Sequence, residues 1–167
     1  MEFYETINAR YSVRKYSDKK VEQDKIERIA KVANAAPSAK NTNGVKVYAV
    51  TNGDMLEKLK DVSPCTFGAP LLFVVCSDEN LSWKNAKGNS RGVMDASITA
   101  DEIMLSAVNE GLGTCWVCMF DEDKMKKVLD MPENIVPQCI IVCGYAADDC
   151  VPNERHTIRT ERFTYVR

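Results

Sequence analysis

Residues 69–76, APLLFVVC, form an unbroken apolar run with no polar position left to face water. Successive side chains of a strand point to opposite faces, so a strand of this composition must be covered on both. A second apolar stretch, QCIIVCGYA at 138–146, reads as the last core strand. Strands of this kind need helices above and below one sheet. The chain is therefore limited to a three-layer α/β or α+β domain.

The covering helices are legible in the spacing. VEQDKIERIAKVANAA places Ile26, Ile29, Ala30 and Ala33 at i, i+3, i+4 and i+7, and Pro37 should stop that helix. DMLEKLKDV puts Met55, Leu56, Leu59 and Val62 on one side. The longest predicted helix, GVMDASITADEIMLSAVNEG, carries a stripe of mostly small residues, Ala96, Ala100, Ile103 and Ala107, with Gly111 as a left-handed cap. Asp121 caps a further helix, EDKMKKVLDM. VKVYAV (45–50) and TCWVCMF (114–120) read as strands. Helix and strand alternate about four times, which leans toward a parallel, doubly wound sheet.

No repeat or linker divides the 167 residues, so residues 1–148 are expected to form a single domain. Residues 149–167 form a polar tail with four arginines and too few apolar groups for a core of its own. The tail should lie on another surface, such as that of a partner subunit. A net charge of −2 leaves no global field to draw the molecule onto nucleic acid or an anionic membrane. No apolar run approaches the roughly 20 residues of a membrane span, and the first residues lack a signal-peptide core, so a cytoplasmic location is expected. Seven cysteines, an odd number, fit reduced thiols better than a disulfide framework.

Three segments offer chemistry. In NARYSVRKYSDK, an extended backbone would turn Arg10, Ser12 and Arg14 one way and Tyr11 and Val13 the other. That arrangement is either a solvated basic turn or a phosphate cradle built on charge-assisted hydrogen bonds. In AAPSAKNTNG, Ser38, Asn41 and Asn43 follow Pro37 at a helix-to-strand corner. They either satisfy local backbone groups or read the edge of a heterocycle. In GLGTCWVCMF, Gly111 and Gly113 close a helix and open a strand, the reverse of a dinucleotide fingerprint. Glycines there let a flat ligand approach the backbone.

Conventional catalytic sets are missing. Cys115 and Cys118 form a CxxC inside a predicted strand, where residues three apart face opposite sides, and no second CxxC completes a zinc site. The one histidine, His156, lies in the tail, and neither HExxH nor GxxxxGK occurs. No metal site and no acid–base catalytic residue is expected. The reactive group of an enzyme with this sequence would come from a cofactor.

Taken in order, ARYSVRKYSDKKV, NAAPSAKNTNGVKVYAV, DASITADEIMLSAVNEGLGTCWV and VPQCIIVCGYAADD resemble the nitroreductase family of FMN-dependent oxidoreductases. The resemblance runs from about residue 4 to 148. It implies an α+β, three-layer α/β/α fold with a mixed, mainly antiparallel sheet, in a homodimer with flavin at the subunit interface. It also implies transfer of electrons from NADH or NADPH to a nitroaromatic, a quinone or a second flavin, by ping-pong hydride transfer through flavin N5. A flavin-binding, storage or sensing protein without turnover is the alternative.

The resemblance also assigns residues. Arg10, Ser12 and Arg14, with Tyr11 adjacent, would hold the FMN phosphate and ribityl chain. Pro37, Ser38 and Asn41, with Asn43 beside them, would reach the flavin of the opposite subunit. Gly113 and Thr114 would shape the wall of the ring site, Cys118 and Met119 would approach N5, and Arg155 or Arg159 would complete the phosphate site. The family's Gln-Pro-Trp is Asn43-Gly44-Val45 here, which removes an aromatic and a rigid turn near the cofactor.

Overall fold

The apolar run lies in β2 (Leu71–Asp78), where every residue from Leu71 to Ser77 is buried. Its companions are β1 (Val45–Val50), β3 (Gly113–Val117) and β4 (Ile135–Gly144). The computed structural model describes residues 2–157 and 161–166 and sets these strands in one sheet of order β1-β2-β4-β3. All three pairings are antiparallel. The doubly wound expectation is thus corrected. The connection from β1 to β2 leaves and re-enters at one end of the sheet, and helix–strand alternation does not encode the end of re-entry. The parallel component reduces to one isolated bridge, Ser12 to Thr114, outside the named strands.

Helices cover both faces. On one side α2 (Gln23–Ala33) and α4 (Gly92–Asn109) pack Ile26, Ile29, Ala96, Ala100 and Ile103 against Leu71, Phe73, Val75 and Ile141. On the other, α3 (Gly53–Lys60) and α5 (Glu122–Val128) bring Leu59 and Met125 onto Leu72, Val74, Ile140 and Val142. A short α1 (Phe3–Ala9) packs against α4. Each fully buried aliphatic side chain contributes about 1.5–3 kcal/mol, so both layers are needed for stability. No helix among the described residues is long and apolar enough to cross a membrane.

Several local expectations hold. The small-residue stripe of α4 is fully buried, and Gly111 takes the left-handed φ of +80° at the helix end. The Asp121 side chain accepts from the Lys124 N–H at 3.0 Å. Others shift. The second helix ends at Ala33, short of Pro37, and Ala30 is exposed rather than part of a buried stripe. The last strand begins three residues earlier than the apolar run, at Ile135. Pro137 is tolerated there because the β2–β4 register slips between Val75 and Cys76, and β3 pairs with β4 only from Ile140 onward.

Candidate functional site

The segment after α1 is extended, with Arg10 at φ −66° and ψ 125°. Its Val13 N–H donates to the Thr114 carbonyl at 2.8 Å, and Ser12 bridges Thr114 in parallel, so the segment lies along the outer edge of β3. Val13 is buried, Arg10, Ser12 and Tyr11 are half-buried, and Arg14 is exposed. Below it, the Tyr16 hydroxyl donates to the carbonyls of Val13 and Val142, at 2.9 and 3.1 Å. Burial raises the Tyr16 pKa far above the ordinary phenol range, so this hydroxyl stays a neutral donor.

The two arginines form no ion pair with any carboxylate among the described residues. Both lie close enough to Cys115 to lower its pKa, although burial, the largest effect, leaves that thiol raised overall. Two guanidiniums with no carboxylate partner among the described residues share one short segment with the Ser12 hydroxyl, which hydrogen-bonds to the Cys115 thiol, and make a cationic donor set. The set fits a phosphate monoester. Thr114 adds a fully buried hydroxyl without a partner. Gly113 brings the backbone close, since Val13 Cγ2 would lie 2.6 Å from an added Cβ.

From Thr114 the strand leads to Cys118 and Met119, about 13 and 16 Å away at roughly 3.3 Å per residue. Both lie just past the end of β3 and are exposed. The Trp116 indole N–H donates to Cys118 Sγ at 3.3 Å, and the Ser63 hydroxyl fixes the Met119 carbonyl at 2.6 Å. Cys115 points into the opposite core and is buried, so the CxxC thiols do not meet. Burial pushes the Cys76, Cys139 and Cys143 thiols up to about 12. Among the described residues no group of three or more His, Cys, Asp or Glu is placed to hold a metal ion.

Pro37, Ser38, Asn41 and Asn43 lie in a turn that feeds β1, at the other edge of the sheet. Lys40, Asn41 and Asn43 all have φ near +53°, a left-handed conformation that asparagine tolerates and lysine disfavours. Ser38 Oγ accepts from the Asn43 N–H at 2.9 Å, and Asn43 Nδ2 donates to the Asn41 carbonyl at 3.1 Å. Asp95, in the first turn of α4 and only 3% exposed, accepts from the Ala39 N–H at 3.1 Å. Sequence reasoning missed both Asp95 and Tyr16. An acidic residue flush with the buried stripe of α4 was the available signal for Asp95.

The tail turns back on its own chain first. Asp149 pairs with Lys15, the Tyr11 hydroxyl donates to the Cys150 carbonyl at 3.1 Å, and the Tyr11 ring meets His156 edge-on with centroids 6.2 Å apart. Arg155, in the short 3-10 turn Glu154–Thr157, is thereby carried toward the basic segment and is exposed. Arg159 lies outside the described residues. The structure thus gathers Arg10, Tyr11, Ser12, Arg14, Gly113 and Thr114, places Arg155 next to His156, whose ring meets Tyr11, and leaves the Pro37–Asn43 turn across the sheet. Three interstrand steps, about 14 Å, separate β1 from β3.

The fold is that of a three-layer α+β protein with a basic segment, Arg10 to Arg14, along its edge strand. A family model for TM nitroreductases matches residues 2–164. A protein of Methanothermobacter thermautotrophicus that carries an NADH dehydrogenase/NAD(P)H nitroreductase name is 33% identical over 156 residues, covering 89% of this chain and 80% of the relative. A nitroreductase family protein of Clostridium difficile 630 superposes with a TM-score of 0.89 at 33% identity, covering 96% of this chain and 94% of that one. An FMN-dependent nitroreductase of Clostridium difficile R20291 superposes with a TM-score of 0.77 at 27% identity, covering 95% and 98%. The chain belongs to the nitroreductase family.

Proposed function

We propose that the protein is an FMN-dependent oxidoreductase that carries electrons from NADH or NADPH to an electron-poor small molecule such as a nitroaromatic, a quinone or a free flavin. The observation that carries this reading is the pair of guanidiniums, Arg10 and Arg14, that have no carboxylate partner among the described residues and lie on a segment hydrogen-bonded to β3. The NAD(P)H nitroreductase and FMN-dependent names of the relatives agree with it. When bound, FMN supplies hydride acceptance at N5 and onward electron delivery.

The chain's own residues bind and orient. Arg10, Ser12 and Arg14 hold the phosphate and ribityl chain, with Tyr11 bracing the segment against the tail and Arg155 closing the phosphate corner. Gly113 and Thr114 form the wall along the ring, and the backbone of Cys118 and Met119 lies at its reactive edge. No side chain is required as acid or base.

The working unit is a homodimer. Pro37, Ser38, Asn41 and Asn43 lie at the opposite edge of the sheet from the cradle of their own chain, and in this reading they serve the flavin of the second subunit. Phe3, Tyr4 and Ile7 on α1 and Val93, Met94 and Ile98 on α4 are exposed apolar groups on two helices that touch, a surface suited to a second copy. Residues 161–166 are exposed, Phe163 and Tyr165 among them, and pack on the partner.

The experiment is direct. Purified protein should be yellow, or take up FMN stoichiometrically on titration, and the flavin band should bleach on addition of NADH or NADPH. A colourless protein that binds no FMN would overturn the reading. A flavin band that persists with both reductants would make the protein a flavin binder without turnover.

A further inference from the structure

Among the described residues, four buried side-chain oxygens lack a hydrogen-bond partner: Thr42 Oγ1, Ser82 Oγ, Asp95 Oδ2 and Thr114 Oγ1. Three of them gather at one junction. Thr42 closes the turn that begins at Ala39, its N–H donating to the Ala39 carbonyl at 3.2 Å. Asp95 accepts from the Ala39 N–H. Ser82 backs onto Gly44, where an added Cβ would lie 2.9 Å from its backbone nitrogen, and onto Gly92 in the first turn of α4. A buried carboxylate is an expensive acceptor for one backbone N–H, because its second oxygen is desolvated without return. Ordinary turn stabilisation does not require it.

The segment held in this way is conformationally costly. Lys40, Asn41 and Asn43 are all left-handed, and such residues persist only where their surroundings over-determine them. Ser38 constrains the far end through the Asn43 N–H, and Asp95 constrains the near end through Ala39. The negative charge of Asp95 also sits in the first turn of an 18-residue helix, where the helix dipole favours it. The other end of α4 runs through Gly111 directly into Gly113 and Thr114.

We propose that Asp95 is a positioning residue for the cofactor. It fixes the Ala39–Asn43 turn to the rigid end of α4 and so sets where Ser38 and Asn41 are presented to the flavin of the second subunit. This rests on the FMN reading above. Asp95 does not touch the flavin; it acts through the Ala39 N–H.

Three variants test the inference through FMN titration and the visible circular dichroism of bound flavin, with the melting temperature of the flavin-free protein measured alongside. Asp95→Ala should weaken FMN binding at least tenfold and alter the dichroism. Asp95→Asn keeps an acceptor for Ala39 and should restore affinity to within about threefold. Ala39→Pro removes the donor without touching α4; Ser38 at φ −132° and ψ 158° suits a following proline. It should reproduce the loss seen in Asp95→Ala, and the double variant should be no worse than either single one. Should Asp95→Ala fail to fold, the comparison of Ala39→Pro with wild type decides. Variants that bind FMN as wild type does, with unchanged dichroism, overturn the inference even where their melting temperature drops. An Asp95→Asn variant that is as weak as Asp95→Ala also overturns it. A wild-type protein that binds no FMN removes the parent reading itself, a separate result.

Discussion

Val13 sits directly over Gly113, its Cγ2 2.6 Å and its Cβ 3.0 Å from where a Cβ on that glycine would be. The contact joins the basic segment to the first residue of β3. Val13 is 1% exposed and has nowhere to retreat. Gly113→Ala is therefore expected to lever the Arg10–Arg14 segment off the strand edge. Stability should fall by about 1–3 kcal/mol, the range for overpacking a tight contact, and FMN affinity should fall with it. Chemical denaturation and flavin titration on the same variant check both. Normal affinity in a destabilised variant would separate the contact from the cradle.

Arg14 is exposed and has no carboxylate partner among the described residues, so its removal breaks no ion pair among them. Arg14→Ala should leave the melting temperature unchanged and weaken FMN binding by about 1–2 kcal/mol, or roughly 5- to 30-fold. Because the charge is exposed, the loss should shrink as salt rises toward 1 M. Titrations at two ionic strengths give the answer. Arg10→Ala should behave alike, and Lys15→Ala, whose ammonium is already paired with Asp149, should not.

The sequence was most readable where a local rule acts alone. VKVYAV is the whole of β1, Gly111 takes the left-handed cap, and Asp121 caps α5 by the bond expected of it. Strand direction was not legible, because the run of helices between strands says nothing about which end of the sheet each connection returns to. The early start of β4 was hidden by Pro137, which only a slipped register accommodates. In the site, the extended backbone expected of the segment is present, with Val13 buried against Gly113 and Arg14 exposed beside it. Asp95 and Tyr16 escaped notice because their importance lies in partners 56 and 126 residues away.

The cysteines are predicted to divide by environment. Burial holds Cys76, Cys139 and Cys143 up to about 12, so few thiolates form at neutral or mildly alkaline pH. Cys118 is exposed. Iodoacetamide at about pH 8 should modify Cys118 first in the native protein and reach the three buried thiols only after unfolding. Peptide mass mapping along the time course resolves the order. Early modification of Cys139 or Cys143 would contradict the two-sided burial of β4.

Tyr16 provides the last test, because one hydroxyl joins the cradle to the centre of the sheet through the Val13 and Val142 carbonyls. Tyr16→Phe leaves both carbonyls without this donor and should cost about 1–3 kcal/mol of stability. It should weaken FMN binding less than Arg14→Ala does, since the arginines themselves remain. The pH dependence adds an independent sign. The folded pKa of Tyr16 is raised by burial, so its contribution to stability is complete below the unfolded phenol pKa of about 10 and is lost as pH rises beyond it. Wild type should therefore lose stability more steeply than Tyr16→Phe above about pH 10, and the gap between the two should narrow there. Tyr11 and Tyr48, also raised by burial, are common to both proteins and cancel in the difference. Parallel unfolding curves for the two proteins from pH 8 to 11 would show that the Tyr16 hydroxyl ionises as freely in the native state as in the unfolded chain, and that the cradle is held to the sheet by Val13 alone.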